Sequence, residues 1–343
     1  MKKIIAGAAA ALLSAWLGTA QAQTIELKIS HYLPPSQTIH KELTRWSDEL
    51  AQRSGGKLKA TVYPSGQMGP LPRQFDMART GVVDIAFFFP GILPGRFPLS
   101  EAIQLPFTFN KDDKTVQPVS TAEASAIITG MMPDLGKEYR DVKVLYFIVT
   151  PTGSLFFSKA TVRQPADLKG LRIRHNGPIS AATVQAWGGT PVSVQPAELA
   201  DALQKGTIDG LFMNYEGGQA FQLAADARKV TELNAGAGVF VLAMNQAKYD
   251  GLPADLRKII DETSGVAAAR RVGALYDQAE AAGRAYALAQ QVEIIKPDLA
   301  QYQAFRNASA GMVNQTIDEL EKRNLPAKRF FADVAKAVAG AGQ

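Results

Sequence analysis

The sequence contains no cysteine. That excludes disulfides, thiolate nucleophiles and thiolate metal sites, so the fold has to stand on packing alone. Histidine is nearly as scarce. Only His31, His40 and His175 occur, and none sits at H-E-x-x-H or a comparable ligand spacing, so no metal site is expected. There is no G-x-S-x-G elbow and no P-loop. Gly236-Ala237-Gly238 opens like a dinucleotide fingerprint, but it lacks the third glycine and precedes a strand instead of following one. No cofactor is therefore expected, and an enzyme is the weaker reading. A strong charge of one sign is also lacking. The formal net charge is +5, with no basic stripe interleaved with aromatics, so nucleic acid is not an expected partner.

The amino terminus carries an address. Lys2 and Lys3 open it, an apolar small-residue run follows from Ile4 to about Gly18, and Ala20-Gln21-Ala22 ends it. This is the pattern of a secretory signal peptide over residues 1–22, cleaved after Ala22. The run is too short for a membrane span, and no later stretch is long and apolar enough for one. Removing Lys2 and Lys3 leaves a net charge of about +3. Roughly 320 residues remain, which suggests two domains.

The remaining chain alternates strands and helices. Ile25 to Ser30 alternates apolar and polar residues like a strand. Ile39 to Arg53 carries Leu43, Trp46 and Leu50 at helical spacing and stops at Gly55-Gly56. Lys57–Tyr63 and Val82–Phe88 read as strands around a helix over 73–80. This rhythm predicts an α/β fold, with a parallel sheet flanked by helices on both faces. Strands over 142–149, 153–158, 171–174, 191–194, 208–213 and 239–244 continue it, with helices over 178–187 and 197–204. A long helical pattern runs from about Pro253 to Gln291, roughly 58 Å if unbroken. Ser264-Gly265 and Gly283 are its expected break points. A strand over 293–295 and helices over 297–323 and 327–338 complete the chain.

One segment echoes another. Arg79-Thr80-Gly81-Val82-Val83-Asp84 resembles Gln204-Lys205-Gly206-Thr207-Ile208-Asp209. In each, a helix ends at a glycine suited to a left-handed C′ position, and an aspartate precedes a buried strand. Two similar α/β lobes would produce this echo.

The segment best suited to bind an anion is Asp167-Leu168-Lys169-Gly170-Leu171-Arg172-Ile173-Arg174. Arg172 and Arg174 alternate to one face of a strand. Arg174 is the last, and a group at a strand's carboxyl end can project into the crevice where open α/β sheets bind ligands. Its guanidinium could hold a carboxylate through two parallel hydrogen bonds. A structural ion pair or a solvated strand end is the other reading of such a residue.

These features, taken in order, resemble the binding subunit of a tripartite ATP-independent periplasmic (TRAP) transporter of the DctP type. The resemblance also rests on Tyr63-Pro64-Ser65-Gly66-Gln67-Met68-Gly69, Leu105-Pro106-Phe107 and Gly188-Gly189-Thr190-Pro191-Val192. It implies a two-lobed periplasmic binding protein fold, each lobe a sheet flanked by helices, with a long helix bridging both. The expected division is 23–151 with 239–279 for lobe I and 152–238 with 280–343 for lobe II. It also implies that Arg174 pairs with the carboxylate of a small organic acid, which is then delivered to the transporter's membrane subunits.

Some members carry a second arginine at a place that aligns with Ser154 here, which leaves a dianionic ligand without its second cation. A polar contact residue is expected within Met213-Asn214-Tyr215-Glu216. From the residues alone, at least one of Phe87, Phe88 and Phe89 should turn from the core, with Phe88 and Phe89 the candidates to face a cleft. His31 follows a strand and could face it too. Asn214, Tyr215 and Gln67 could bond the ligand's remaining oxygens. The set suits a monocarboxylate with an apolar body, such as a 2-oxo, 2-hydroxy or aromatic acid. A dicarboxylate binder, a binding protein serving a sensor, and a periplasmic enzyme remain open as alternatives.

Overall fold

The computed structural model describes residues 24–112 and 116–341. The signal segment expected over 1–22 lies outside them. The first part of the chain runs β1 (Ile25–Ser30), α1 (Thr38–Arg53), β2 (Leu58–Tyr63), α2 (Gln74–Arg79), β3 (Ile85–Phe88), α3 (Pro98–Ala102), α4 (Thr121–Gly130), α5 (Met132–Leu135) and β4 (Val142–Val149). The middle runs β5 (Ser154–Phe157), β6 (Arg172–His175), α6 (Pro178–Ala186), β7 (Thr190–Ser193), α7 (Leu199–Gln204), β8 (Gly210–Met213), α8 (Tyr215–Ala220) and β9 (Lys229–Thr231). The last part runs β10 (Val239–Asn245), α9 (Gln246–Asp250), α10 (Ala254–Glu262), α11 (Gly265–Ala289), β11 (Glu293–Ile295), α12 (Leu299–Lys322) and α13 (Ala327–Gly340).

Two sheets result, each flanked by helices, as expected. The first has strand order β2-β1-β3-β10-β4 and the second β7-β6-β8-β5-β9-β11. Read this way, their first five positions share one plan. The second strand, β1 or β6, pairs in parallel with both neighbours, and the fourth strand is antiparallel to both of its own. The sequence echo is the local sign of that plan. Gly81 and Gly206 end α2 and α7 at φ 77° and 67°. Asp84 accepts the Lys28 amide at 2.7 Å, and Asp209 accepts the Arg172 amide at 2.8 Å. Strand β3 starts only at Ile85, later than the expected Val82, because this turn holds Val82 half exposed.

Each sheet is buried on both faces. On the first, Leu43, Trp46 and Leu50 of α1 pack with Leu27 and Ile29 of β1, an apolar stripe at helical spacing. Its other face is covered partly by Phe330, Val334 and Val338 of α13. The last helix thus lies on the first sheet, although 280–343 was expected with lobe II. Its apolar stripe called for a partner but did not say which. In the second lobe, Tyr302 and Phe305 of α12 join Trp187, Leu155 and Ile173.

The expected long helix breaks at Thr263–Ser264, and Gly265 restarts it at φ 72°. Gly283 is no break. Helix α11 runs through it, because a Cβ there would lie 2.4 Å from the Tyr215 carbonyl oxygen. The glycine provides close approach, not flexibility. Helix α11 packs on α4, β4 and α1 of the first lobe and on α8 of the second. Asp277 accepts the α4 amides of Thr121 and Ala122 at 2.7 and 3.1 Å. Less than one turn later, Glu280 accepts the α8 amides of Tyr215 and Glu216 at 3.0 and 2.8 Å. One bridging helix thus caps a helix in each lobe, satisfying amides that no helix can satisfy for itself.

Candidate functional site

The carboxyl ends of both sheets' central strands face one cavity of about 480 Å³, within the range of small-molecule sites. Tyr32 follows β1 and Phe89 follows β3. Arg174, His175 and Asn176 end β6, and Met213 and Asn214 end β8. The segments crossing between the lobes, at Thr150–Gly153 and Gly236–Gly238, form the back wall. These segments are laced together by Thr150 N–H to Gly238 O at 2.8 Å and Gly153 N–H to Gly236 O at 2.9 Å. At another point the lobes meet backbone to backbone, where a Cβ on Gly177 would stand 2.3 Å from Gly91 O.

Arg174 is 6 % exposed and lines this cavity. Its Nε donates to the Val194 carbonyl at 3.2 Å, and no carboxylate is among the charges that act on it. Burial pulls its guanidinium down to about 10, with nearby Tyr32 acting the other way. A buried charge without a counterion is costly, so an anion entering the cavity would relieve it. Arg172, two residues earlier, is the opposite case. It is exposed and bonds both Asp209 oxygens at 3.0 and 2.9 Å and the Gly206 carbonyl at 2.7 Å.

Among the other expected residues, Phe89, Met213, Asn214 and Glu216 also line the cavity. Asn214 additionally caps α8 through Gly217 N–H at 3.1 Å. Glu216 reaches across to the first lobe, accepting the Thr38 amide at 3.2 Å and hydroxyl at 2.9 Å. With its amide nitrogen turned to the same carboxylate, Gln37 donates to it at 3.0 and 3.2 Å. Burial raises the Glu216 carboxyl above the ordinary range, and the Thr38 bonds and Lys41 pull it back.

The remaining five expected residues lie elsewhere. Phe88 packs in the first core against Phe75, Phe97 and Tyr139, since alternation sends it opposite to its neighbours. Ser154 is buried in register with Met213, and Gly153 faces the cavity in its place. His31 is fully buried, its Nε2 3.0 Å from His40 Nδ1. Gln67 is exposed on its turn, outside the cavity wall. Tyr215 points into the second lobe, where its hydroxyl bonds Glu232 at 2.9 Å.

Sequence reasoning missed Tyr32, Gln37, Asn176, Phe212 and Phe240, which also line the cavity. The strand-end rule that selected Arg174 would have found Tyr32 and Asn176, each within two residues of a strand's carboxyl end. Nothing local marks Phe240, whose ring lies tilted against that of Phe89 with centroids 4.8 Å apart. Among the described residues, no group of acidic or histidine side chains is placed to hold a metal ion, and no helix is long and apolar enough to cross a membrane.

Two lobes closing on one polar-ended cavity define a solute-binding protein. Residues 29–319 match the family described as bacterial extracellular solute-binding protein, family 7 (DctP), and the chain belongs to that family. It is a solute-binding protein of the TRAP type, a class of periplasmic transport proteins that bind small organic acids and work with membrane subunits.

Among solved structures it is similar to a marine metagenome TRAP protein specific for aromatic acid ligands, in complex with metahydroxyphenylacetate. The identity is 27 %, with 93 % of this chain and 100 % of that chain covered and a TM-score of 0.86. It is also similar to a TRAP protein from Rhodoferax ferrireducens in complex with copurified benzoate, at 29 % identity, 92 % and 98 % coverage and a TM-score of 0.85. A curated relative, the "outer membrane transporter protein TsaT" of Comamonas testosteroni, is 28 % identical over 83 % of each chain.

Proposed function

We propose that this protein captures a small monocarboxylate with an apolar, aromatic body and presents it to TRAP membrane subunits. The observation that carries the reading is Arg174, buried, open to the cavity and without a carboxylate partner among the described residues. Its guanidinium takes the ligand's carboxylate through two parallel bonds. Phe89, Phe212, Phe221 and Phe240 wall the space beyond it and suit a flat ring. The aromatic acids held by the two similar structures support this choice. Tyr32 adds a hydroxyl from the opposite lobe.

The chain is exported by its signal segment, cleaved after Ala22, and meets its ligand in the periplasm. Ligand enters between the parted lobes, and contacts from both sides favour the closed form. It shifts that balance only by its greater affinity for closed over open. No bond is made or broken. A thermal-shift screen of benzoate, hydroxybenzoates, phenylacetates and small 2-oxo acids tests the reading, since a ligand of the native state raises the melting temperature. Aromatic monocarboxylates should stabilise the protein, and Arg174→Ala should erase their shifts. Shifts that persist in the variant overturn the assignment of Arg174.

A further inference from the structure

Among the described residues that line the cavity, Arg174 is the one arginine or lysine and Glu216 the one carboxylate, while His175 is pushed toward its neutral form by burial. No ion pair joins Arg174 and Glu216, and their charges are committed differently. Among the described residues Arg174 has no carboxylate partner. The donors to Glu216 come from the other lobe, at the amino end of α1: the Thr38 amide and hydroxyl and the Gln37 amide. The first turn of α1 has no acidic residue of its own and its cap residue makes no side-chain cap bond, so Glu216 supplies the negative group that a helix amino terminus favours. Three donors and a helix end favour its ionised form against the burial that raises its carboxyl. At 6 % exposure little water remains to screen it.

We infer that Glu216 sets the charge selectivity of the cleft, admitting an acid with one carboxylate and rejecting an acid with two. The inference rests on Arg174 holding the first carboxylate. A second carboxylate then finds no further lining arginine or lysine and shares a poorly screened cavity with a fixed negative group. Tyr32, Arg174 and Glu216 line the same cavity, and both charges act on the Tyr32 hydroxyl. Rejection by a placed like charge is a source of specificity separate from the attraction that binds.

Isosteric ligand pairs isolate the charge. Dissociation constants for 3- and 4-carbamoylbenzoate are compared by calorimetry with those for isophthalate and terephthalate, at a pH where both diacids are dianions. The wild type should prefer the carbamoyl acid at least tenfold (a margin of ~1.4 kcal/mol). Glu216→Gln should shrink that preference at least tenfold, with Glu216→Ala used if the glutamine variant does not fold. Thr38→Val, which removes a cross-cleft bond without removing charge, should weaken both members alike and leave the preference standing. A wild type that binds both members equally, or a preference unchanged in Glu216→Gln, overturns the inference alone. Failure of every carbamoyl acid to bind the wild type overturns the monocarboxylate reading and this inference with it.

Discussion

The two lobes use one sheet plan for opposite purposes along the matching strands β1 and β6. Where an aspartate anchors each strand they agree. Lys28 of β1 gives its amide to Asp84, and Arg172 of β6 gives its amide to Asp209. Counting forward from these anchors, Ser30 stands where Arg174 stands, and His31 where His175 stands. Here the lobes part. The second lobe places a guanidinium at the cavity, whereas the first buries a small hydroxyl and an imidazole in its interior. The lesson is that repeated scaffolding fixes where a functional group can stand, and one substitution decides which lobe carries it.

The comparison breaks most sharply at Arg174. Arg174→Ala should weaken aromatic acid binding by at least ~100-fold, the usual scale for losing one partner of a buried charge pair. Titration calorimetry measures it, and a loss under tenfold would remove Arg174 from the ligand's carboxylate.

The matching histidine gives the next largest effect, on stability. His31 is pushed down to about 4, first by burial and then by His40, while in the unfolded chain it titrates near 6.5. Below that pH the unfolded chain takes up a proton that the folded chain refuses. Stability should therefore fall between about pH 6.5 and 4, by on the order of 2–3 kcal/mol from this group. Denaturant unfolding at pH 7 and pH 4.5 should show a smaller drop in His31→Asn than in the wild type. Equal drops would mean that the imidazole is not held neutral.

The contact between Gly91 and Gly177 sharpens the comparison at the level of closure. Gly177 has an extended backbone at φ 166°, which any residue adopts, so alanine there strains nothing locally. Its Cβ would instead collide with Gly91 O and hold the lobes apart. Gly177→Ala should raise the dissociation constant about tenfold with an unchanged melting temperature of the free protein. Unaltered affinity would show that ligand is held without this contact. The smallest effect belongs to Arg172, whose pair with Asp209 is exposed and screened by solvent. Arg172→Ala should leave affinity within about twofold, and a loss close to that of Arg174→Ala would erase the distinction between the strand's two ends.

Much of the fold was readable because its signals are local. The alternation of β1, the stripe of α1 and the Gly-to-Asp turns before β3 and β8 all lie within short stretches. Within 89–141 no element is assigned from sequence, yet α3, α4 and α5 lie there. Helix α4 is buried on most of its surface, so it shows no polar face to reveal its period. The site was half legible for a related reason. Arg174 and Asn214 announce themselves by chemistry at strand ends, and Glu216 follows just behind. Tyr215 beside them was expected to do the same, but its direction is set by Glu232, a distant residue. Phe240 reaches the cavity only because β10 inserts between β3 and β4, which is a property of topology.

The paired caps on α11 carry a mechanical consequence. Asp277 and Glu280 are three residues apart, about 4.5 Å of helix rise, and each grips a different lobe. Any rotation of one lobe against the other about this helix has to be absorbed within that single turn.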